Sequence, residues 1–417
     1  MTVEGRSNRN RILYITFDGV LEPLGRSQVL SYMLGLTQRG FNFTLISLER
    51  EHDLTNKRAV QDFEIDLSSR SIRWLRYPFR SGGMSGVLMN CWVALRAAHG
   101  AISQEQIALI HARSYVPAFI GWILNRLKGI PYVFDMRGYW VDELADEGRW
   151  FNSRLAYKIG KRVERALLKD AAAIVTLTDL QASDLRAGEL KQQPDKPITT
   201  ITTGADYEEF APQGASDEAV PPDIRERLEA KLVVGLVGSV NASYRIAESL
   251  SLFDSLLAIR PDAHLLCLTR QLSVMEELLR KEGIPESAYT LVSVDHRDMS
   301  EWLRYMDWAL LLLNTRFSKR GSMPTKLAEF FSAGVRPIQY GCNEEVSNKV
   351  QEAGSGIVLA SLSAEDLQRA AELIASTTLH SADIMRARET TRSHFSLEAG
   401  VNKYAGLLNQ LLVEGQR

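Results

Sequence analysis

From Ile12 to Leu359 the chain alternates short apolar runs, each about the size of one strand, with longer segments of helical spacing. The strand-like runs of the first half are Ile12–Thr16, Phe43–Leu48, Ile72–Tyr77, Leu109–Ala112, Tyr132–Met136, Ala173–Leu177 and Ile198–Thr202. Apolar residues at helical intervals fill Ser27–Arg39, Val87–Gln104, Val116–Lys128 and Ser153–Lys169 between them. Adjacent parallel strands need a crossover, and a helix supplies it, so this alternation predicts an α/β fold with a parallel sheet covered on both faces. Phe210–Glu229 interrupts it with Pro212, Pro221 and Pro222 and little apolar content, and reads as a linker. The alternation then restarts, with strand-like runs at Leu232–Leu236, His264–Leu268, Tyr289–Val294, Trp308–Leu313, Val335–Gln339 and Gly356–Leu359. A chain of 417 residues is too long for one ordinary core. Two doubly wound domains in tandem are expected, with ligands beyond the carboxyl ends of the strands, where strand order reverses. Two facing domains would make one cleft carrying both sets of loops.

Composition narrows the setting. Apolar residues make up 45% and charged residues 24%, as in soluble globular proteins. Cys91, Cys267 and Cys342 are far apart, form no metal spacing and do not suggest a disulfide framework. Met1–Arg11 is polar and basic with no apolar run behind it, so no export signal is expected, and no run is long enough to span a membrane. A cytoplasmic location is expected. The net charge of −2 is uneven: residues 1–200 carry +6 and residues 201–417 carry −8. The basic first half suits contact with an anionic membrane face.

The segment Ser322-Met-Pro-Thr-Lys-Leu-Ala-Glu329 reads as a helix opening on Ser322, Met323 and Pro324, followed by a stop at Gly334 and a buried strand. The first turn of a helix has free backbone N–H groups, which suit a phosphate. Thr325 belongs to that turn, Lys326 adds a full charge, and Glu329 lies three residues on, where it can accept hydrogen bonds from ribose hydroxyls. After the strand at Leu232–Leu236, Gly238 allows close backbone approach, Ser239 offers a hydroxyl and Arg245 a permanent cation. After the first strand, Gly25 and Arg26 precede a helix, the position of an anion-binding turn or simply a tight one. Asp135, Arg137, Asp142 and Glu143 crowd a loop with Tyr139 and Trp140, a mixture that suits the polar rim and apolar faces of a sugar. Asp295, His296 and Arg297 follow another strand and read as a surface loop or the edge of a base pocket. No histidine pair has metal spacing and no Asp-x-Asp pair is present, so no metal is expected, and Arg, Lys and helix N-termini must meet the charge of a diphosphate. On the Ser153–Lys169 helix, Leu155, Ile159, Val163 and Leu167 form one apolar stripe ringed by cations; the expectation is that the stripe is core, with a membrane surface as the alternative.

In this order, these motifs resemble glycosyltransferase family 4, the retaining enzymes of the GT-B fold, over nearly the whole chain. Thr203-Gly-Ala-Asp-Tyr-Glu-Glu-Phe-Ala-Pro212 is similar to the family's Gly-x-Asp-x-x-x-Phe-x-Pro passage at the domain junction. Ser322–Ile338 is similar to its donor-site helix, and Phe395-Ser-Leu to Tyr404 to its terminal crossover helix. Pro23-Leu-Gly-Arg-Ser-Gln-Val-Leu and Asp135-Met-Arg-Gly-Tyr-Trp resemble a subgroup found among bacterial surface-polysaccharide transferases. The resemblance implies an acceptor-side domain over residues 1–208, completed by a crossover helix at 397–417, and a nucleotide-sugar-binding domain over 209–396. It implies retaining transfer of a sugar from a nucleotide-diphosphate donor to a hydroxyl of a glycan or lipid-linked acceptor, with no nucleic acid partner. Arg245 and Lys326 would stabilise the departing diphosphate, Asp135 or Arg137 would contact the sugar, Gly25 would approach the phosphates, and domain closure would exclude water. Gly238, Ser239, Ser322, Met323, Pro324, Thr325 and Glu329 would hold the donor. This chain departs from the family at Gly321, where many members carry a glutamate, and at Ser239, where many carry an arginine; Arg245 stands for a usual lysine. A nucleotide-sugar epimerase and a catalytically weak subunit that binds nucleotide and supports a partner are the alternative readings.

Overall fold

The computed structural model describes residues 11–148, 153–212, 218–229, 231–378 and 380–414. Arg6 and Arg9 of the basic N-terminal segment lie outside the described residues. The chain divides into two compact units. The first comprises Met1–Thr202, Arg320–Ser322 and Gly400–Arg417; the second comprises Thr203–Lys319 and Met323–Ala399.

The first unit is built on a parallel sheet of β1 (Arg11–Ile15), β2 (Asn42–Glu49), β3 (Ile72–Pro78), β4 (Ile107–Arg113), β5 (Tyr132–Asp135), β6 (Ala173–Thr176) and β7 (Ile198–Thr200). Their order across the sheet is β3-β2-β1-β4-β5-β6-β7. The second unit repeats the plan with β8 (Leu232–Val237), β9 (Ala263–Leu268), β10 (Tyr289–Val292), β11 (Trp308–Leu312), β12 (Arg336–Tyr340) and β13 (Ile357–Val358), ordered β10-β9-β8-β11-β12-β13. Every paired strand is parallel to its neighbour. Helices on both faces remove the strands from water, which is why β5 and β8 are buried at every position and read as continuous apolar runs. In each unit the order reverses beside the first strand, between β1 and β4 and between β8 and β11. Loops leaving such neighbours run apart and open a crevice.

The expected strands are all present. Several helices were not expected. Lys57–Ser69 buries only Val60 and Leu67, so its apolar signal is thin, and Asn56 caps it by accepting from the Ala59 N–H. Asp179–Ala187 and Glu344–Ala353 are likewise capped by Thr178 and Asn343. The supposed linker contains the helix Pro222–Glu229. Its proline sits at the first position, where no N–H is needed, so it starts a helix rather than breaking one.

The last helix, Leu397–Glu414, returns from the end of the second unit, and from Gly400 onward it packs in the first. It lies against the Ser31–Thr37 helix through a reciprocal pair of glycines. A Cβ on Gly35 would come within 2.7 Å of the Val401 side chain, and one on Gly400 within 2.6 Å of the Tyr32 ring. The Tyr32 hydroxyl donates to the Thr202 carbonyl at 3.1 Å, and its ring meets Tyr404 edge-on. Gly35→Val should therefore overpack this seam and cost about 1–3 kcal/mol, read as a lowered denaturation midpoint. An unchanged midpoint would show that the seam has slack.

Candidate active site

In the second unit the loops after β8 and β11 are zipped together over the point of strand reversal. The Arg245 N–H donates to the Leu312 carbonyl at 2.9 Å, and the Asn314 N–H donates to the Ser243 carbonyl at 3.0 Å. Tyr244 and Leu313 form an antiparallel bridge, and the Asn314 side-chain amide donates to the Ala242 carbonyl. Gly238 opens the first loop at φ +120°, a backbone conformation open to glycine and rare for any side chain. The Gln271 side chain, from the loop after β9, grips both polar groups of Val240, accepting from its N–H at 2.7 Å and donating to its carbonyl at 3.2 Å. Ser239 is exposed between these clamps. Arg245 pairs with Glu248 and reaches Asn314 at 3.4 Å, while its Nε is buried without a partner.

The helix after β11 begins at Thr325, not at Ser322. A turn of 3-10 helix spans Phe317–Gly321, Pro324 is the N-cap, and Thr325–Ala333 is the helix. Ser322 and Met323 thus precede the helix; the Leu327 N–H already donates to the Pro324 carbonyl at 3.1 Å, so the first-turn N–H groups without an intrahelical acceptor are those of Thr325 and Lys326. Met323 is buried, Ser322 and Lys326 are half-buried. The Lys326 ammonium donates to Glu329 at 3.0 Å, and His296 Nε2, from the loop after β10, stands 3.6 Å from the other carboxylate oxygen. Burial would push the Glu329 pKa up, but Lys326 and His296 outweigh it and hold the carboxyl below its ordinary value. Glu329 is a carboxylate fixed between the Lys326 ammonium and the His296 imidazole. Its charge is also felt at Tyr244 and at Glu209, whose carboxyl is raised chiefly by burial. The structure thus brings Gly238, Tyr244, Arg245, Lys326 and Glu329 to the carboxyl-terminal edge of one sheet.

Gly321, where the resemblance leads one to look for a glutamate, belongs to the first unit. A Cβ there would meet the Gln181 amide at 2.8 Å. The flanking Arg320 is held by Asp184 through two hydrogen bonds of 2.9 Å, and its carbonyl accepts from Thr178 at 3.0 Å. A larger residue at this position would require the Gln181 amide to move.

In the first unit, Gly25 is buried. A Cβ would fall 1.9 Å from the Gly19 carbonyl oxygen, so a close chain approach explains this glycine. The turn it closes hangs on Glu49, whose buried carboxylate accepts from the N–H groups of Val20 at 3.0 Å and Leu21 at 3.1 Å. Across the strand reversal, Asp18 accepts from Arg113 Nε at 2.9 Å. Behind that pair sits Asp135, fully buried. It accepts from Tyr404 at 2.9 Å, meets His111 Nε2 at 3.4 Å, and has Arg113 at 3.8 Å and Arg137 at 3.7 Å. Burial would raise its pKa, but Arg137, the His111 hydrogen bond and Arg113 take it down to about 2. Arg137 holds φ +58°, an uncommon backbone conformation for any residue with a Cβ, next to Gly138 at +131°. Asp135 therefore acts through its neighbours, while Asp18 and Arg137 are the groups it leaves nearer the surface. Arg113, His111, Tyr404, Asn314 and Gln271 carried no signal in the sequence, because single polar residues inside strand-like or helical runs look like any others.

Residues 25–200 match the family model of the glycosyl transferase 4-like domain. The chain is a glycosyltransferase of the GT-B fold. Solved structures agree on the fold. A glycosyltransferase from Rickettsia africae superposes with a TM-score of 0.69 at 16% identity, over 97% of this chain and 99% of that one. A sucrose-phosphate synthase from Thermosynechococcus elongatus gives 0.70 at 15%, over 97% and 100%. HepE from Anabaena, solved with UDP and glucose, gives 0.67 at 14%, over 96% and 99%. No curated protein matches the chain in sequence.

The Asp135 cluster predicts an acid-labile first unit. A carboxyl whose native pKa lies near 2, against about 3.9 unfolded, stabilises fully above about pH 4, and that contribution is lost as the pH falls toward 2. Asp135→Asn should remove this dependence and, by leaving Arg113 and Arg137 without their buried partner, cost about 3–5 kcal/mol at neutral pH. Denaturation of both proteins between about pH 5 and 2 checks this; parallel curves would refute it.

Proposed function

We propose that this glycosyltransferase moves a sugar from a nucleotide-diphosphate donor to a hydroxyl of a glycan or lipid-linked acceptor, with retention at the anomeric carbon. The observation that carries the donor reading is the Glu329 arrangement: a fixed carboxylate and an ammonium in the first turn of a buried helix, beside a loop held open by Gly238. Glu329 would accept from ribose hydroxyls. The N–H groups of Thr325 and Lys326 and the Lys326 ammonium would meet the diphosphate, and Arg245 would add a second cation as charge develops on the leaving group. Ser239, Ser322, Met323 and Pro324 would line the same donor site. HepE, solved with UDP and glucose, supports a nucleotide-sugar donor by analogy of fold.

In the first unit, Arg137 is the group assigned to the sugar, with Asp135 as the positioning residue that fixes it. Gly25 holds the shape of the turn after β1. The reading gives the neutralising role to Lys326, Arg245 and the helix N-terminus, so transfer is expected to proceed without a metal. Turnover that fails in the presence of a chelator and returns with a divalent cation would contradict that part.

Incubation with a panel of UDP-, GDP- and dTDP-sugars tests the whole. Nucleotide release that depends on an acceptor supports transfer. Interconversion of the sugar without transfer supports an epimerase, and binding without turnover a supporting subunit. Lys326→Ala and Arg245→Ala should each lower kcat by about 10²–10³-fold, the loss seen when a preorganised charge-stabilising donor is removed. Near-normal turnover in both would sink the assignment. Glu329→Gln should instead act mainly on the KM for the donor, since ribose contacts are made in the ground state as well as the transition state.

A further inference from the structure

The Arg154–Asp170 helix shows an outer surface divided lengthwise into two stripes. At about 3.6 residues per turn, Gly160, Glu164, Leu167 and Leu168 form the face turned into the first unit, and all are buried. One flank carries Leu155, Ile159 and Val163, which are 70%, 55% and 38% exposed. The other carries Arg154, Lys158, Arg162, Arg165 and Lys169, all exposed. Among the described residues Arg154, Lys158 and Arg162 have no ion pair, and Arg165 touches Glu189 only at 4.0 Å. This overturns the expectation that the apolar stripe is core: only Leu167 of its members goes inward.

Exposed apolar residues scattered singly need no explanation, but three in line beside a row of unpaired cations do. The neighbouring helix, Tyr115–Lys128, extends the apolar side. Its Trp122 and Arg126 bond to Asp170 at 2.7 and 2.5 Å, and Phe119, 37% exposed, stacks on Trp122. Among the described residues no helix is long and apolar enough to cross a membrane.

We propose that this face docks in the plane of an anionic bilayer. Leu155, Ile159 and Val163 enter the boundary between headgroups and acyl chains, and the cations beside them meet lipid phosphates. The charge pattern selects this occupant. From Leu155 to Val163 the apolar stripe is about 12 Å long at 1.5 Å per residue and runs beside the cations over that length, which suits a planar surface that is anionic above and apolar below. Long basic side chains can lie along the interface with their heads in the phosphate layer. The proposal goes beyond sugar transfer and does not depend on it, since docking needs no donor or turnover.

Co-sedimentation of the full chain with vesicles tests it. Binding is expected to vesicles containing phosphatidylglycerol, to weaken steeply with salt, and to be absent with phosphatidylcholine alone. Lys158→Glu with Arg162→Glu should weaken binding at least about tenfold, since each cation near an anionic surface contributes about fivefold. Leu155→Ser with Ile159→Ser should weaken it comparably while the salt dependence persists. All four positions are exposed, so both variants should fold, and circular dichroism confirms it. Wild-type chain that stays off phosphatidylglycerol vesicles at low salt overturns the proposal, as does undiminished binding by both variants. A wild-type dimer that the serine pair converts to monomer, with no vesicle binding, would assign the face to a second copy instead.

Discussion

In a parallel sheet whose strand order reverses beside its first strand, two neighbouring strands send their chains away in opposite directions, and nothing in the sheet itself covers the ends they leave. Both units of this protein are organised around that gap. In the second, the loops after β8 and β11 close it with their own backbone, Arg245 to Leu312 and Asn314 to Ser243. In the first, the loops after β1 and β4 are joined by side chains, Asp18 to Arg113. The two solutions differ in what they leave available. Backbone zipping frees Ser239 and holds Arg245 and Gly238 at the edge. A salt link requires further support, and Asp135, His111 and Tyr404 provide it.

That support explains why the terminal helix comes back. A buried carboxylate with arginines beyond hydrogen-bond range at 3.7 and 3.8 Å needs a closer donor, and Tyr404 supplies one at 2.9 Å. The Gly35 and Gly400 contacts allow the helix to come near enough for Tyr404 to do so. A sequence element some 270 positions from β5 thus completes the polar centre of the first unit. The same logic governs the second unit, where Arg388 donates to the Ser332 carbonyl at 2.9 Å and to the Tyr207 carbonyl, tying the Thr325–Ala333 helix to the Thr203–Pro212 passage.

The fold was legible because burial on both faces leaves a strong imprint: each strand of the two sheets coincides with an apolar run. Helices were less legible where stability comes from caps rather than an apolar face, as at Lys57–Ser69 and Glu344–Ala353. Lys326 and Glu329 could be read in advance because a helix start followed by an opposite-charge pair three residues apart is a local pattern. Its first residue could not: Pro324 admits either a first-turn or a capping role, and the choice fell three residues later than expected. His111 and Arg113 meet Asp135 through the order of the strands and Tyr404 through the return of the last helix, neither of which a local pattern encodes.

The Arg154–Asp170 helix shows the same limit from the other side. Periodicity finds the apolar stripe and assumes that it faces inward, since a glutamate ordinarily marks the solvent side. Here Glu164 is the inward residue. Tyr115 donates to it at 2.7 Å, Lys161 pairs with it, and Lys161 also reaches Asp142 at 3.1 Å. Burial raises the Glu164 pKa, but these partners compensate the carboxylate and let it occupy the core side beside Gly160. With that face fixed by a polar network, geometry leaves Leu155, Ile159 and Val163 nowhere to go but outward. The buried ionic cluster that orients this helix is therefore also what exposes its apolar stripe beside a row of cations.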